Sequence, residues 1–329
     1  MTDSILVKEL FETYPDGTKA VNGISFNVEE GQFFGFLGPN GAGKSTTIKV
    51  LTTLIKKTSG FVTVGGLDLD KDASAIRKVI GVQSQDTVID HDLTGRENLI
   101  LAGNLQGMKG KPLEERVDTL LDLMQLKDVG NKRAARYSGG MKKRLDLAST
   151  LVHEPKILFL DEPTTGLDPQ SRAGIWDYLE KLNKEEHMTI FLTTQYMEEA
   201  DRLCKNLAII DSGTIVASGT PAELKREVGA DTITVSVAPE LKAKAKDILK
   251  GMRAIKEVMD SDGGITAYAT EAGSIIADIV RAFDDKGVDL NSINFAQPTL
   301  DDVFLTHTGR RIRPEELLKQ GAGGWGRRR

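Results

Sequence analysis

The hydrophobic pattern of the N-terminal part of the chain predicts an α/β fold with two kinds of strand. Apolar and polar residues alternate over 5–27, around a turn signal at Asp16-Gly17, which is typical of paired strands. Short continuous apolar runs occupy 33–37, 157–160 and 189–192. Such runs are typical of parallel strands that are buried on both faces and end at a ligand.

The stretch from 90 to 154 has a helical period instead. Thr94 and Glu97 form a capping box near its start. Further along, an apolar stripe with helical spacing consists of Val117, Leu120, Leu121 and Met124. We therefore expect a helical subdomain over about residues 90–154, within an α/β domain of residues 1–225.

Beyond residue 225 the pattern predicts a second, smaller α+β domain over about 226–308. Strand-like alternation and helical stripes follow one another in the order strand, helix, strand, strand, helix, strand. These segments lie near 233–237, 241–249, 254–259, 265–269, 275–283 and 293–295. The apolar stripes are most simply a core. A ligand-binding or regulatory surface is the alternative, although no cluster of residues points to one.

The remaining residues, 309–329, contain a Gly-Ala-Gly-Gly run and three terminal arginines, and we expect them to form a disordered basic tail. An arginine near anionic lipid contributes only ~1 kcal/mol. Three arginines are therefore not expected to anchor the protein to a membrane by themselves.

Composition and charge narrow the classes of function. Lys plus Arg number 43 against 48 Asp plus Glu, and no basic block stands out, so nucleic acid is not an expected ligand. The single cysteine, Cys204, fits a reducing cytosol as a packed, inert thiol. The N-terminus lacks the basic start of a signal peptide, and no apolar run approaches the ~18 residues of a membrane span. We expect a cytoplasmic protein that does not itself form a membrane pore.

Residues 38–45 match the pattern Gly, four residues, Gly-Lys-Ser, between a predicted strand and a predicted helix. Glycines let successive backbone N–H groups converge on an anion at the helix N-terminus. Lys44 would hold the β- and γ-phosphates of a nucleotide, and the Ser45 hydroxyl would ligate Mg²⁺. We expect ATP to bind to Gly38, Pro39, Asn40, Gly41, Ala42, Gly43, Lys44, Ser45 and Thr46.

Two acids, Asp161 and Glu162, follow the apolar run at 157–160. We expect Asp161 to belong to the Mg²⁺ shell and Glu162 to be the general base that orients and deprotonates the attacking water. A solvated strand end is the alternative interpretation of such a pair, and the phosphate loop makes it the weaker one.

Ser138-Gly139-Gly140-Met141 precedes a helical apolar pattern, so Ser138 stands where a helix begins. An ordinary N-cap serine is the simple interpretation of this position. The basic residues beside it, Lys142, Lys143 and Arg144, are expected on the solvated face of the helix.

The phosphate loop, the Ser138 motif and the acid pair, in this order, resemble the ATP-binding subunit of an ABC transporter. The resemblance implies a P-loop NTPase fold with an antiparallel β subdomain and a helical subdomain that docks onto a membrane subunit. It also implies that Ser138, Gly139 and Gly140 cover the γ-phosphate held by a partner's phosphate loop. The active unit would then be a head-to-tail pair of two chains.

Three further positions match the family. Tyr14 corresponds to an aromatic ring that stacks on adenine, although an exposed turn tyrosine is the alternative. The family's glutamine loop aligns with Gln85 rather than Gln83, which makes Gln85 the expected contact to Mg²⁺ and water. Asp168 corresponds to a dimer-contact loop and is also able to cap the helix that Pro169 opens.

Gln195 departs from the common family pattern, which has histidine at this position. A glutamine amide can donate a hydrogen bond to the γ-phosphate but cannot relay a proton, so Glu162 remains the base, with Lys44 and Gln195 as the other expected catalytic residues. Together with the residues at 298–305 and 308–310, Gln195 resembles the daunorubicin-resistance branch of drug-exporter ATPases.

The resemblance implies an ATPase that forms a homodimer around two ATP·Mg²⁺ and drives export of a drug or lipid-like substrate through separate integral membrane permease subunits. It would lie peripherally on the inner face of the cell membrane. The alternative is a soluble ABC-type ATPase with a regulatory, non-transport role. Ribosome-associated and chromosome-maintenance types are disfavoured, because the chain has neither two ATP domains nor a long coiled coil.

Overall fold

The structure, a computed structural model, describes residues 3–229, 231–261, 264–269 and 272–309. The chain divides into two compact units, and the division falls between Pro221 and Ala222. The domain boundary at 225 and 226 stays a prediction from the sequence. Apart from Gly309, the tail expected at 309–329 lies outside the described residues.

The first unit contains two β-sheets. Its strands are β1 (Asp3–Thr13), β2 (Lys19–Glu29), β3 (Phe33–Leu37), β4 (Ser59–Val64), β5 (Leu67–Asp68), β6 (Ile80–Gln83), β7 (Ile157–Asp161), β8 (Thr189–Thr194), β9 (Asn206–Asp211) and β10 (Thr214–Gly219). An antiparallel sheet has the order β2-β1-β4-β5, and a second sheet has the order β10-β9-β3-β8-β7-β6. All neighbours in the second sheet are parallel except β10 with β9. Both predicted kinds of strand are therefore confirmed.

Seven helices of the first unit connect or flank these strands in the described residues. They are α1 (Lys44–Leu51), α2 (Ala73–Val79), α3 (Gly95–Leu105), α4 (Lys111–Leu123), α5 (Gly139–Leu151), α6 (Pro169–Glu186) and α7 (Met197–Leu203). Helices α3, α4 and α5 occupy the stretch with predicted helical periodicity. At its start, the Thr94 hydroxyl accepts a hydrogen bond from the Glu97 backbone and the Glu97 carboxylate accepts one from the Thr94 backbone. The predicted capping box is confirmed.

A buried cluster joins both sheets of the first unit through α1. At its centre, the Phe191 ring packs against the rings of Phe26, Phe34, Phe36 and Phe159, with centroids 5.6–5.8 Å apart. Close-packed aromatic rings of this kind leave few voids and resist displacement. They fix β3, β7 and β8 relative to one another. The residues at the carboxyl ends of these strands are therefore held rigidly as well.

The second unit contains one antiparallel sheet with the order β12-β13-β11-β14. Helix α8 (Pro221–Val228) begins at the division, and the elements that follow are β11 (Asp231–Val237), α9 (Lys242–Lys250), β12 (Ile255–Ser261), β13 (Gly264–Ala269), α10 (Ala272–Asp285), β14 (Leu290–Ala296) and α11 (Leu300–Thr308). Apolar residues of the sheet and of α9 and α10 form its core. The predicted α+β pattern is confirmed. Throughout the described ranges, no helix combines the length and apolar character required to cross a bilayer.

Candidate active site

The phosphate loop runs from the end of β3 to the start of α1. The Gly38 amide donates to the Thr194 carbonyl of the neighbouring strand at 3.2 Å. A Cβ at Gly38 would collide with the Ile210 carbonyl oxygen, and one at Gly43, whose φ is 105°, would collide with that of Ala20. These two positions therefore require glycine for close backbone packing and, at Gly43, for a left-handed conformation.

Lys44 is the buried charge of this loop, with 4% of its surface exposed. Its Nζ donates to the carbonyl oxygens of Gly38 and Pro39 at 2.8 and 3.0 Å. The same Nζ lies 3.0 Å from Oε1 of Glu162, whose side chain is also buried. The predicted phosphate-binding cation and the predicted base are thus in direct contact.

Ser45 and Asp161 form the second pair of the site. The Ser45 hydroxyl donates to Asp161 Oδ1 at 3.1 Å, and the Thr193 hydroxyl donates to the same oxygen at 2.6 Å. Mg²⁺ is typically held by one or two protein oxygens together with phosphate oxygens and water. A hydroxyl and a carboxylate in contact therefore fit Mg²⁺. Thr193 was not singled out from the sequence, because its role depends on strand register: it is the β8 partner of Asp161 on β7.

Glu162 adopts a left-handed backbone conformation, with φ of 49°, directly after β7. Its amide donates to the Thr193 carbonyl at 3.1 Å, and its Oε2 accepts from the Thr165 hydroxyl at 3.2 Å. A non-glycine residue in this conformation costs about 1–3 kcal/mol, and the surrounding hydrogen bonds must hold it there. The result is a carboxylate with a fixed orientation.

Gln195 and Tyr14 adjoin different elements of the site, strand β8 and helix α1. Gln195 follows Thr194 at the end of β8, the strand beside β7, and only 3% of it is exposed. The Tyr14 hydroxyl lies 3.1 Å from the Thr46 hydroxyl at the start of α1. The structure therefore brings Tyr14 to the phosphate loop, while its stacking on adenine stays a prediction.

The Ser138 motif opens α5. The Ser138 hydroxyl accepts from the Met141 amide at 3.3 Å, so the N-cap interpretation is confirmed. Ser138 and Gly139 are exposed, and a Cβ at Gly139 would meet nothing within 4 Å. The contact with a partner's ATP stays a prediction, and the exposure of these residues leaves them accessible to a second subunit.

Asp168 caps α6, as expected. Its carboxylate accepts from the Ser171 amide at 3.0 Å and from the Ser171 hydroxyl at 2.6 Å, and these hydrogen bonds lower the pKa of Asp168. Asp168 is also exposed, so the capping role leaves its predicted dimer contact open.

The expectation for Lys143 was wrong. Lys143 was placed on the solvated face of α5, but it is 8% exposed and its Nζ donates to the Gln85 carbonyl at 2.7 Å. A long basic side chain can run beneath a neighbouring loop, and the helical period alone does not show that a loop covers that face. Gln85 itself is exposed, whereas Gln83 is buried, and the role of Gln85 toward Mg²⁺ stays a prediction.

Glu199 on α7 is a further buried acid that the sequence analysis missed. Its Oε1 accepts from the Thr164 hydroxyl at 2.8 Å and from the Trp176 indole at 2.9 Å, and no surface of the residue is exposed. Burial raises the pKa of this carboxyl. Glu199 thereby connects the loop after Glu162 with the segment that carries Gln195.

Cys204, expected to be inert, is buried, and its burial raises the pKa of the thiol well above the ordinary value.

The fold and the site together define an ATPase of the ABC class, with a phosphate loop and, at the start of α5, the motif Ser138-Gly139-Gly140-Met141, called the signature below. The family model for the ABC transporter matches residues 21–165, and that for the "ATP-binding protein DrrA1-3-like, C-terminal domain" matches residues 219–308. The chain is 39% identical to the daunorubicin resistance ATP-binding protein DrrA3 of Streptomyces coeruleorubidus, over 95% of this chain and 99% of that protein. It is 34% identical to the linearmycin resistance ATP-binding protein LnrL of Bacillus subtilis, over 89% and 94% of the two chains.

Solved structures give the same result for the fold. The cbiO1 protein of Clostridium perfringens, described as part of the ABC transporter complex cbiONQ, aligns with a TM-score of 0.63 and 31% identity, over 69% of this chain and 95% of that one. The ATP-binding cassette MJ0796, solved as a dimer bound to ADP and Pi, aligns with a TM-score of 0.61 and 26% identity, over 66% and 98%. The chain belongs to the ABC transporter family, in its branch of drug-resistance ATP-binding proteins. It is a nucleotide-binding ATPase, as the sequence predicted.

Glu199 generates a prediction about pH. Because burial raises its pKa, Glu199 stabilises the fold fully below the ordinary carboxyl pKa of 4.5, and this contribution is lost as pH rises through the raised value. Glu199→Gln lacks the ionisation. Its free energy of unfolding, relative to that of the unchanged chain, should therefore increase as pH rises above 4.5, by about 1.4 kcal/mol for each unit of pKa shift. Urea unfolding of both proteins measures this difference, and parallel pH profiles would contradict it.

Proposed function

We propose that two copies of this chain pair head-to-tail around two ATP molecules with Mg²⁺ and drive export of a drug or lipid-like substrate through separate membrane permease subunits. The observation that carries the proposal is the buried cluster at the carboxyl ends of β3, β7 and β8. In this cluster Lys44 contacts Glu162 and Ser45 contacts Asp161, so a cation, a base and two hard oxygen donors adjoin one another.

In this mechanism Lys44 exchanges its present oxygen partners for phosphate oxygens. Its three contacts are with oxygen atoms, and a phosphate offers the same chemistry with a greater charge. Release of Lys44 frees Glu162 Oε1 to accept the proton of the attacking water. Ser45, Asp161 and Gln85 would hold Mg²⁺, which would neutralise charge on the phosphates. The Gln195 amide would donate a hydrogen bond to the γ-phosphate.

The relatives and the exposure of Ser138 and Gly139 support the proposed partners, a second copy of the chain and membrane permease subunits. Among the described contacts, the Ser138 hydroxyl bonds only to its own helix, and the exposure of Ser138 and Gly139 makes them accessible to a second chain. MJ0796 was solved as a dimer bound to ADP and Pi, and cbiO1 is described as part of the ABC transporter complex cbiONQ. Relatives named for resistance to daunorubicin and linearmycin support a drug as the substrate. The protein would then lie on the cytoplasmic face of the membrane, against its permease.

Glu162→Gln tests the role of the base. The amide keeps the shape of the carboxylate but cannot accept the proton, so we expect ATP turnover to fall roughly 10²- to 10⁴-fold while ATP binding is retained. The variant should accumulate as an ATP-bound dimer, which light scattering detects. Turnover within a few fold of the unchanged chain would remove Glu162 from this role.

A mixing experiment tests whether the signature acts across the dimer. A Lys44→Ala chain cannot hold phosphate, and a Gly139→Glu chain blocks the signature at an exposed position where a side chain meets no neighbour. Each chain alone should be inactive, while the mixture forms heterodimers with one intact site and regains activity. A mixture that stays inactive would argue against action in trans, once subunit exchange is shown by fluorescence transfer and a one-site dimer is shown to be active.

Gln195 carries a third prediction. Gln195→His should keep substantial ATPase activity, whereas Gln195→Ala should lose a hydrogen bond to charged phosphate worth about 1.5–3 kcal/mol, or roughly 10- to 150-fold in rate. The histidine variant should also gain an ionisation between about pH 5 and 8 in its rate profile. Steady-state rates across this pH range measure both effects. Equal activity of the alanine variant and the unchanged chain would exclude a contact in the transition state.

A further inference from the structure

The segment that carries Gln85 is attached to helix α5 by hydrogen bonds that involve three buried polar side chains, those of Gln83, Lys143 and Asp146. The Gln83 amide donates to Asp146 Oδ2 at 3.1 Å, and the Val88 backbone amide donates to Asp146 Oδ1 at 3.2 Å. The Lys143 ammonium donates to the Gln85 carbonyl at 2.7 Å. The segment is therefore attached before, at and after Gln85. We call these contacts the α5 clamp.

The side chains of the α5 clamp are buried, and burying their charges costs free energy. Gln83, Asp146 and Lys143 are 2%, 4% and 8% exposed. Burial raises the pKa of Asp146 and lowers that of Lys143, although each charge partly offsets the other. A hydrogen bond between buried groups restrains both of them, because each has few alternative partners, although the Gln83 side-chain oxygen has no partner among the described residues. The network thus holds the segment against α5 although two charges must be buried to do so.

Beyond β6, the clamp hydrogen-bonds to the backbone of the segment and not to the side chain of Gln85. Both of its contacts beyond β6 are with main-chain atoms, the Gln85 carbonyl and the Val88 amide. The Gln85 side chain is exposed. Lys143 is also near enough to interact electrostatically with Asp86 and Asp161, which puts its charge close to the expected Mg²⁺ donors. The clamp thus fixes the backbone position of Gln85 and makes no contact with its side-chain amide.

We propose that Asp146 and Lys143 are positioning residues that join Gln85 to α5, so that Gln85 and Ser138 move as one body. The proposal rests on the proposed roles of Gln85 at one ATP site and of Ser138 at the partner's site. With the clamp intact, closure of the signature over one nucleotide also sets the Mg²⁺ contact at the other. Without it, Gln85 loses its fixed starting position while the phosphate loop and Glu162 are unchanged.

The test compares Asp146→Ala, Asp146→Asn and Lys143→Met in the full chain, with Ser149→Ala as the control. Ser149 lies on the same helix, and its hydroxyl bonds only within α5 among the described contacts. Asparagine can still accept from the Val88 amide. If the Gln83 amide turns, its oxygen, which has no partner in the described structure, can accept from the new amide, with loss of the 3.4 Å hydrogen bond that Gln83 donates to the Lys143 carbonyl. Asp146→Asn should therefore act as the conservative rescue.

Hydrogen exchange without nucleotide measures the clamp directly. Amides of the segment 84–90 should exchange roughly 5- to 20-fold faster in Asp146→Ala and Lys143→Met than in the unchanged chain, while α1 and β3 keep their protection. Asp146→Asn and Ser149→Ala should resemble the unchanged chain. Unaltered exchange in both Asp146→Ala and Lys143→Met would overturn the proposal whatever the roles at ATP are. Lys143→Met decides this point if Asp146→Ala does not fold.

The Mg²⁺ dependence of ATPase activity measures positioning. The Mg²⁺ concentration for half-maximal rate should rise roughly 5- to 20-fold in Asp146→Ala and Lys143→Met, as in Gln85→Ala, and return toward normal in Asp146→Asn. Faster exchange with unchanged Mg²⁺ dependence, while Gln85→Ala shifts it, would reduce the clamp to a structural role and overturn the proposal. An unshifted Gln85→Ala would instead show that the proposed role of Gln85 is wrong, and the positioning proposal would fall with it.

Discussion

The active site depends on one buried charge, the ammonium of Lys44. Two carbonyl oxygens of its own loop and the Glu162 carboxylate contact it, and only 4% of the Lys44 surface is exposed. An unpaired buried charge is costly, so the loop, Lys44 and Glu162 constrain one another. A phosphate can pair with the same ammonium. The ion pair that holds the site together is therefore also the one that the nucleotide can replace.

The parallel sheet makes this interaction possible. Strands β3, β7 and β8 are neighbours in the order β3-β8-β7, and their carboxyl ends bring residues far apart in sequence to one edge. The register of Asp161 opposite Thr193 fixes the carboxylate that Ser45 contacts. The packed phenylalanine rings below hold the strands in this register, so core packing and site geometry are a single constraint.

Helix α5 positions functional residues outside the sheet. It begins at the exposed Ser138 and carries Lys143 and Asp146 beneath the segment with Gln85. Glu199 makes a comparable connection between the segment after Glu162 and that after Gln195. In both places a buried polar side chain joins two functional segments that the chain order separates. The second unit has its own sheet and core.

The sequence by itself determined the two strand types, the helical stretch, the α+β pattern after residue 225 and the residues of the phosphate loop and acid pair. These follow from local periodicity and from motifs that are contiguous in the chain. Thr193, Glu199 and the buried state of Lys143 were decided only by the tertiary structure. Each depends on which strand is the neighbour or which loop covers a helix face, and such long-range pairing leaves no periodic signal in the residues concerned.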